Sequence, residues 1–262
     1  MYDFDFERPS TVADAVKALG QDEARALGGG QTLLPTLKQR LAMPSALVSL
    51  TAIPEMKGVC REGDMLVIGG GTTHATVEAE AESHYPGLAS LAGRIGDPAV
   101  RSRGTIGGSL ANNDPSACYP AGALGSGATI VTDRREIAAD DYFLGMFTTA
   151  LEEDEIITSV KFPIPEAARY EKMIQPASRF PLVAAFVARF SDGVRVAITG
   201  ASEEGVFRWS EAEQALSSNF SADAVRGLSH PADGLIADLH GSAEYRAHLI
   251  GVMTRRAVEA LG

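Results

Sequence analysis

Three glycine-rich segments are the parts of this chain best suited to chemistry: Gly28-Gly29-Gly30-Gln31-Thr32, Gly69-Gly70-Gly71, and Arg101-Ser102-Arg103-Gly104-Thr105-Ile106-Gly107-Gly108-Ser109. Successive backbone N–H groups in such turns converge on an anion, and glycine permits both the unusual dihedrals and the close approach of a diphosphate. A glycine cluster is as often a plain turn, so local charge has to separate the three. The first leads into a helix start with no acid before Lys38 and Arg40, where amides and helix dipole both favour an anion. The second precedes Glu78, Glu80 and Glu82 and reads as a structural turn, with Thr72 and Thr73 left to meet a neutral part of a ligand. The third joins paired glycines to two arginines and hydroxyl donors and is the stronger anion candidate. Gly-x-Gly-x-x-Gly is absent and no loop continues into Gly-Lys-Ser/Thr, which disfavours Rossmann and Walker-type sites.

Other chemistries lack their residues. Cys60 and Cys118 form no Cys-x-x-Cys pair and cannot supply the four thiolates of an iron–sulfur cluster, so any cluster belongs to a partner. Each thiol reads as a buried small residue in a reducing compartment. The histidines make no His-Glu-x-x-His, and no metal site is expected. Gly125-Ser126-Gly127 has the wrong spacing for a nucleophile elbow and reads as a turn. No catalytic side chain is assigned.

The elements that must position these loops alternate. A helix is expected over Thr11 to Leu19 and a strand over residues 24 to 27. With Thr32 as cap and Leu33, Leu37 and Leu41 four apart, the next helix is expected to run to Met43-Pro44, Pro35 lying harmlessly in its first turn. Ala46 to Leu50 and Asp64 to Ile68 are strand candidates. A composition change at Phe162-Pro163-Ile164-Pro165 marks a domain boundary. Beyond it, Leu182 to Phe190 and Val194 to Thr199 form a hairpin through Asp192-Gly193. A closing helix capped by Ser242 carries Tyr245, Leu249, Met253, Ala257 and Leu261 onto that sheet.

The chain has 262 residues, 45% hydrophobic and 22% charged, with a net charge of −11. Those values suit one large domain or two modest ones and disfavour disorder, nucleic-acid binding and anionic membranes. The longest apolar run, Leu182 to Ala188, is too short for a transmembrane helix. The acidic, aromatic start Met1-Tyr2-Asp3-Phe4-Asp5-Phe6-Glu7 is unlike a secretory signal, so a cytoplasmic location is expected.

These residues carry a family resemblance. Gly28-Gly29-Gly30-Gln31-Thr32-Leu33-Leu34-Pro35, Ile95-Gly96-Asp97-Pro98-x-Val100-Arg101-x-Arg103-Gly104-Thr105-Ile106-Gly107-Gly108-Ser109 and Leu151-Glu152-Glu153-Asp154-Glu155-Ile156-Ile157 closely resemble the FAD-binding medium subunit of the molybdenum hydroxylases, the family of carbon monoxide dehydrogenase and xanthine dehydrogenase. The likeness is strong over residues 1 to about 165 and weaker over 166 to 262. It implies an α+β fold: a vanillyl-alcohol-oxidase-type FAD-binding domain over 1–165, in two α+β subdomains of about 1–55 and 56–165, then a small C-terminal sheet-plus-helices flavoprotein domain over 166–262. By the same match Gly28, Gly29, Gly30, Gln31 and Thr32, with Thr105, Ile106, Gly107, Gly108 and Ser109, would hold the FAD diphosphate. Ile95 and Ile157 would pack on the flavin or ribityl, and Lys172 would approach the flavin. As residue types alone, both isoleucines also suit a core and Lys172 a solvated surface.

One departure stands out: many relatives have aspartate where this chain has Cys118, so a polar contact to the ribityl or adenosine end is missing or replaced. The resemblance further implies an oxidoreductase subunit that works inside a complex. A molybdopterin large subunit would oxidise substrate, a small subunit with two [2Fe–2S] clusters would relay electrons, and this chain would present FAD as their exit. The assembly would be a heterotrimer or a dimer of heterotrimers. Two rivals are a free-standing flavin oxidase of the vanillyl-alcohol oxidase type, for which His74 beside the second loop is the nearest tethering histidine, and a non-catalytic assembly subunit.

Overall fold

The computed structural model describes residues 1–262. The chain opens with strand β1 (Asp5–Glu7), helix α1 (Val12–Leu19), β2 (Arg25–Leu27), α2 (Leu33–Lys38) and β3 (Ala46–Ser49). The three strands form a parallel sheet in the order β1-β3-β2. Helix α1 starts where the sequence places it, because the Thr11 hydroxyl accepts from the Asp14 amide and Ala15, Ala18 and Leu19 face a small core with Ile53, Met56 and Ile156. Helix α2 is shorter than its leucine spacing predicts. Arg40 adopts a left-handed φ of 59°, and the Leu41 amide reaches back to the Thr36 carbonyl, a helix-terminating turn that leaves Leu41 74% exposed. Thr32 precedes the helix as expected, but its hydroxyl makes no capping bond.

The next segment contains β4 (Val59–Glu62), β5 (Met65–Gly69), α3 (His74–Glu80), α4 (Pro86–Gly93), α5 (Pro98–Arg101), α6 (Ile106–Asn112), α7 (Tyr119–Ser126), β6 (Thr129–Thr132) and β7 (Glu136–Ala138). It continues with α8 (Ala139–Tyr142), the short pair β8 (Phe143–Gly145) and β9 (Thr148–Thr149), and β10 (Ile157–Pro163). An antiparallel sheet runs β4-β5-β10-β6-β7, with the long helical excursion inserted between β5 and β6. Gly125-Ser126-Gly127 is the end of a buried helix, not a loop: Ser126 bonds the Tyr85 hydroxyl at 2.7 Å, and only Gly127, left-handed at φ 63°, turns the chain.

The last segment forms a four-stranded antiparallel sheet from β11 (Ala167–Ile174), β12 (Pro181–Phe190), β13 (Gly193–Ser202) and β14 (Gly205–Arg208). Helices α9 (Ser210–Ser218) and α10 (Ala243–Glu259) follow. The continuous apolar run in β12 is explained by burial on both faces. Val183, Ala185 and Val187 meet α9 and α10, whereas Ala184, Phe186 and Ala188 enter the core of the preceding segment beside Leu88, Leu91 and Tyr119. Ser242 caps α10 as expected, accepting from the Tyr245 amide, and Leu249, Met253 and Ala257 are buried. Tyr245 is half-exposed and Leu261 lies past the helix end. The composition break at 162–165 covers the end of β10 and the turn toward β11, yet the hydrophobic core continues across it. No helix is long and apolar enough to cross a membrane.

Candidate functional site

The glycine loops close one large cleft. It measures about 1050 Å³, and its lining includes Gly28 to Thr32, Gly70, Gly71, Thr105, Gly107 to Ser109, Ile95 and Ile157. That volume lies at the upper end of ordinary ligand pockets, of the size a dinucleotide needs.

The glycines are needed because the loops rest on one another through bare backbone. A Cβ on Gly29 would sit 1.9 Å from the Arg103 carbonyl oxygen, and one on Gly28 2.8 Å from Thr105 Oγ1. A Cβ on Gly107 would lie 2.6 Å from the Gly70 oxygen, and one on Gly70 2.2 Å from the Ile157 oxygen. Loop one therefore sits on loop three, loop three on loop two, and loop two on the start of β10. An isolated bridge between Thr73 and Thr105 fastens the same stack: the His74 amide donates to the Gly104 carbonyl and the Ile106 amide to that of Thr72.

This stacking spends the amides unequally. In the third loop, Ile106 and Gly107 donate to loop two, Ser109 donates to the Thr105 carbonyl and Gly108 to the Thr105 hydroxyl. The amides of Gly28, Gly29, Gly30, Gln31 and Thr32 donate to no protein acceptor. Loop one thus presents the open anion cradle, and loop three chiefly supports it. That reverses the ranking drawn from local charge, for a physical reason. Arg101 turns away to bond Glu78 Oε2 at 3.1 Å and the carbonyls of Ile95 and Gly96, and Arg103 is exposed outside the cleft. The arginine expected to attract an anion and an acid expected to repel one neutralise each other. The second loop, read as a turn, contributes Gly70 and Gly71 to the lining.

Of the ionisable side chains that line the cleft, Glu155 and His74 are buried. Glu155 accepts from Arg135 Nε and Nη2, from the Thr132 hydroxyl and from the Glu152 amide. The Arg135 hydrogen bonds, joined by those of Glu152 and Thr132, hold its carboxyl down to about 2. This carboxylate pins the turn that delivers Ile156 and Ile157. His74, at the start of α3, is 4% exposed and packs on the Tyr119 ring at 5.3 Å. Burial, with Arg101 adding to it, holds the imidazole down to about 4, hence neutral at pH 7.

Lys172 and Ile106 lie elsewhere than among the cleft-lining residues. Ile106 is fully buried in the core beneath the loop. Lys172, also buried, donates from Nζ to the Arg94 carbonyl at 2.6 Å and to Cys118 Sγ at 3.6 Å. Desolvation lowers its pKa, with the thiol opposing that shift. Cys118 is thus a buried partner to a lysine, whereas Cys60 is exposed, contrary to the expectation that both thiols are buried. The far wall comes from residues no motif suggested. Phe180, Asp238 and His240 reach the cleft from the C-terminal segment, and Phe180 packs edge-on against His240 at 5.4 Å. They come from two turns separated by most of that segment, so no local spacing could have linked them.

Residues 2–165 match the family model described as the FAD binding domain in molybdopterin dehydrogenase. The chain is 32% identical over 276 residues to the carbon monoxide dehydrogenase medium chain of Hydrogenophaga pseudoflava, covering 98% of this chain and 96% of that one. It is 33% identical over 279 residues to the nicotine 6-hydroxylase medium subunit of Paenarthrobacter nicotinovorans, with coverage of 98% and 96%. A solved structure of the Hydrogenophaga pseudoflava carbon monoxide dehydrogenase superposes with a TM-score of 0.89 at 33% identity, over 99% of this chain and 97% of that one. With its glycine loops stacked into a dinucleotide-sized cleft, this chain belongs to the FAD-binding domain family of the molybdopterin dehydrogenases.

Proposed function

We propose that this chain is the FAD-carrying electron-transfer subunit of a molybdenum hydroxylase complex. The observation that carries the reading is the run of five unspent amides from Gly28 to Thr32 on the floor of a dinucleotide-sized cleft. Those amides hold the diphosphate; Thr105, Gly107, Gly108 and Ser109 form the bed they rest on, and Ile95 and Ile157 face the flavin or ribityl. Lys172 would approach the flavin from behind the lining residues, where its Nζ is bonded to the Arg94 carbonyl and Cys118 Sγ. FAD held by these residues would supply the redox chemistry, electron transfer between a partner's [2Fe–2S] cluster and an external acceptor. The chain's own part is to bind, orient and shield. Its ionisable groups suit that work, since Glu155 is committed to Arg135 and His74 is neutral.

In this reading residues 1–165 form the two-subdomain, vanillyl-alcohol-oxidase-type unit and residues 166–262 the C-terminal flavoprotein domain. The partners are an iron–sulfur small subunit and a molybdopterin large subunit, in a heterotrimer or a dimer of heterotrimers. Cys60 and Cys118 are both free thiols, which supports a reducing, cytoplasmic setting. The test is a visible spectrum of the purified full chain, then release of the flavin by heat or acid and its chromatographic identification. FAD near one per chain, with iron–sulfur protein co-purifying from the native source, is the expected result. A chain that lacks flavin and takes up none when FAD is added overturns the reading. Flavin that stays covalently attached after denaturation would instead favour a free-standing oxidase, with His74 as the tether.

A further inference from the structure

Behind the cleft wall a buried thiol lies beside a buried amine. Cys118 directly precedes α7, Lys172 lies in β11, and Lys172 Nζ is 3.6 Å from Cys118 Sγ although the two residues are 54 positions apart. Each is 5% exposed, and neither lines the cleft. Besides the thiol, Nζ is bonded to the Arg94 carbonyl, and no carboxylate is paired with it. Desolvation therefore acts on a charge without a counter-ion. It lowers the lysine pKa and enlarges the share of neutral amine, the form whose lone pair can bond.

Two further observations point to an oxygen at this place. Tyr170, two residues before Lys172 on the same buried face of β11, has its hydroxyl beside the Cys118 thiol, fully buried and without a hydrogen-bond partner. Sulfur is a weak acceptor, whereas an oxygen attached to it would accept well from that phenol. The way in is also short: Ala117 and Ile95, the chain neighbours of Cys118 and Arg94, line the cleft. A small oxidant in the cleft is thus one residue from the pair. A single oxygen spans the gap from sulfur to nitrogen with less closure than a direct bond between them would need.

We propose that Cys118 and Lys172 form an oxidation site, with hydrogen peroxide as the oxidant and a covalent N–O–S bridge between α7 and β11 as the product. The first peroxide takes two electrons from sulfur: the S–H and O–O bonds break, an S–OH bond forms, and water leaves. The second takes two from nitrogen: one N–H bond, the O–H of the sulfenic acid and the peroxide O–O bond break, the N–O bond forms, and two waters leave. The bridged chain has gained one oxygen and lost two hydrogens. The inference stands whether or not the cleft holds FAD.

The test uses the full chain carrying Cys60→Ser, which removes the exposed thiol, reduced and then treated with hydrogen peroxide. Intact mass and peptide mapping read the product. The expected result is one oxygen gained and two hydrogens lost, in a peptide that joins residue 118 to residue 172 and returns to the reduced mass with dithiothreitol. Adding Lys172→Gln or Cys118→Ser should abolish that species. A Cys118 that stays a thiol, or that goes on to sulfinic acid with Lys172 unmodified, overturns the proposal. So does a joined peptide that contains no added oxygen, or a bridge that forms equally in the urea-unfolded chain, where the 3.6 Å approach is gone. The decision is read on the Cys60→Ser chain itself, so it holds even where Lys172→Gln fails to fold.

Discussion

Glu155 acts at the scale of a single residue: with four hydrogen bonds it shapes the turn beneath the cleft. Its carboxyl is lowered on folding from 4.5 to about 2, so its stabilisation is fully present above pH 4.5 and is lost as pH falls toward 2. Glu155→Gln should therefore lower unfolding stability by about 3 kcal/mol at pH 7, the energy of that shift. In urea melts the gap between variant and wild type should close progressively below pH 4. Gly29→Ala would drive a methyl into the Arg103 carbonyl and part loops one and three, at a cost of about 3 kcal/mol or more. Gly227→Ala, with open space around it and no positive φ, should melt like the wild type and bind FAD normally. Thermal unfolding and FAD titration of the two variants check the contrast. At this scale the sequence was legible where a residue's role is local, as in the glycines and the cap Ser242. It misled where charge was summed along the chain, because Arg101 and Glu78 are 23 positions apart yet bonded.

Among the elements, α10 has a task its hydrophobic stripe does not announce. Arg246, 1% exposed, donates from Nη1 to the carbonyls of Leu182 and Gly200 and from Nη2 to Asp238. It ties the helix to β12, β13 and the turn that brings Asp238 and His240 to the cleft. Arg246→Ala orphans two buried carbonyls and a carboxylate and should cost about 3 kcal/mol. Chemical denaturation measures that loss, and FAD affinity should fall with it because the far wall loosens. The helices α1, α2 and α10 were readable from apolar spacing, but the end of α2 and the short helices between β5 and β6 were not. A left-handed arginine is an uncommon way to stop a helix, and Leu41 kept the four-residue rhythm past the true terminus.

At the scale of the whole molecule, the break near 165 separates sheets but not cores. Phe186 and Tyr170 pack with Tyr85 and Tyr119, all fully or almost fully buried, in a cluster drawing on both sides of that break. A fragment of residues 1–165 should accordingly show no cooperative thermal transition and should bind the dye ANS, whereas the full chain melts in one step; circular dichroism and ANS fluorescence check this. The seven-residue apolar run marked β12 as a strand, but what lay on its two faces was not visible, since periodicity does not name partners. The cleft follows the same division. Its floor was legible because glycines advertise it, and its far wall was not, because Phe180, Asp238 and His240 meet only after folding. The backbone-on-backbone seating of the loops therefore bears on inheritance. A floor made of main chain tolerates drift in neighbouring side chains and forbids only the loss of its glycines, so a lineage carries it forward whole or not at all. The opposite wall, built of ordinary side chains on two turns, is where descendants are free to vary what meets the cofactor from outside.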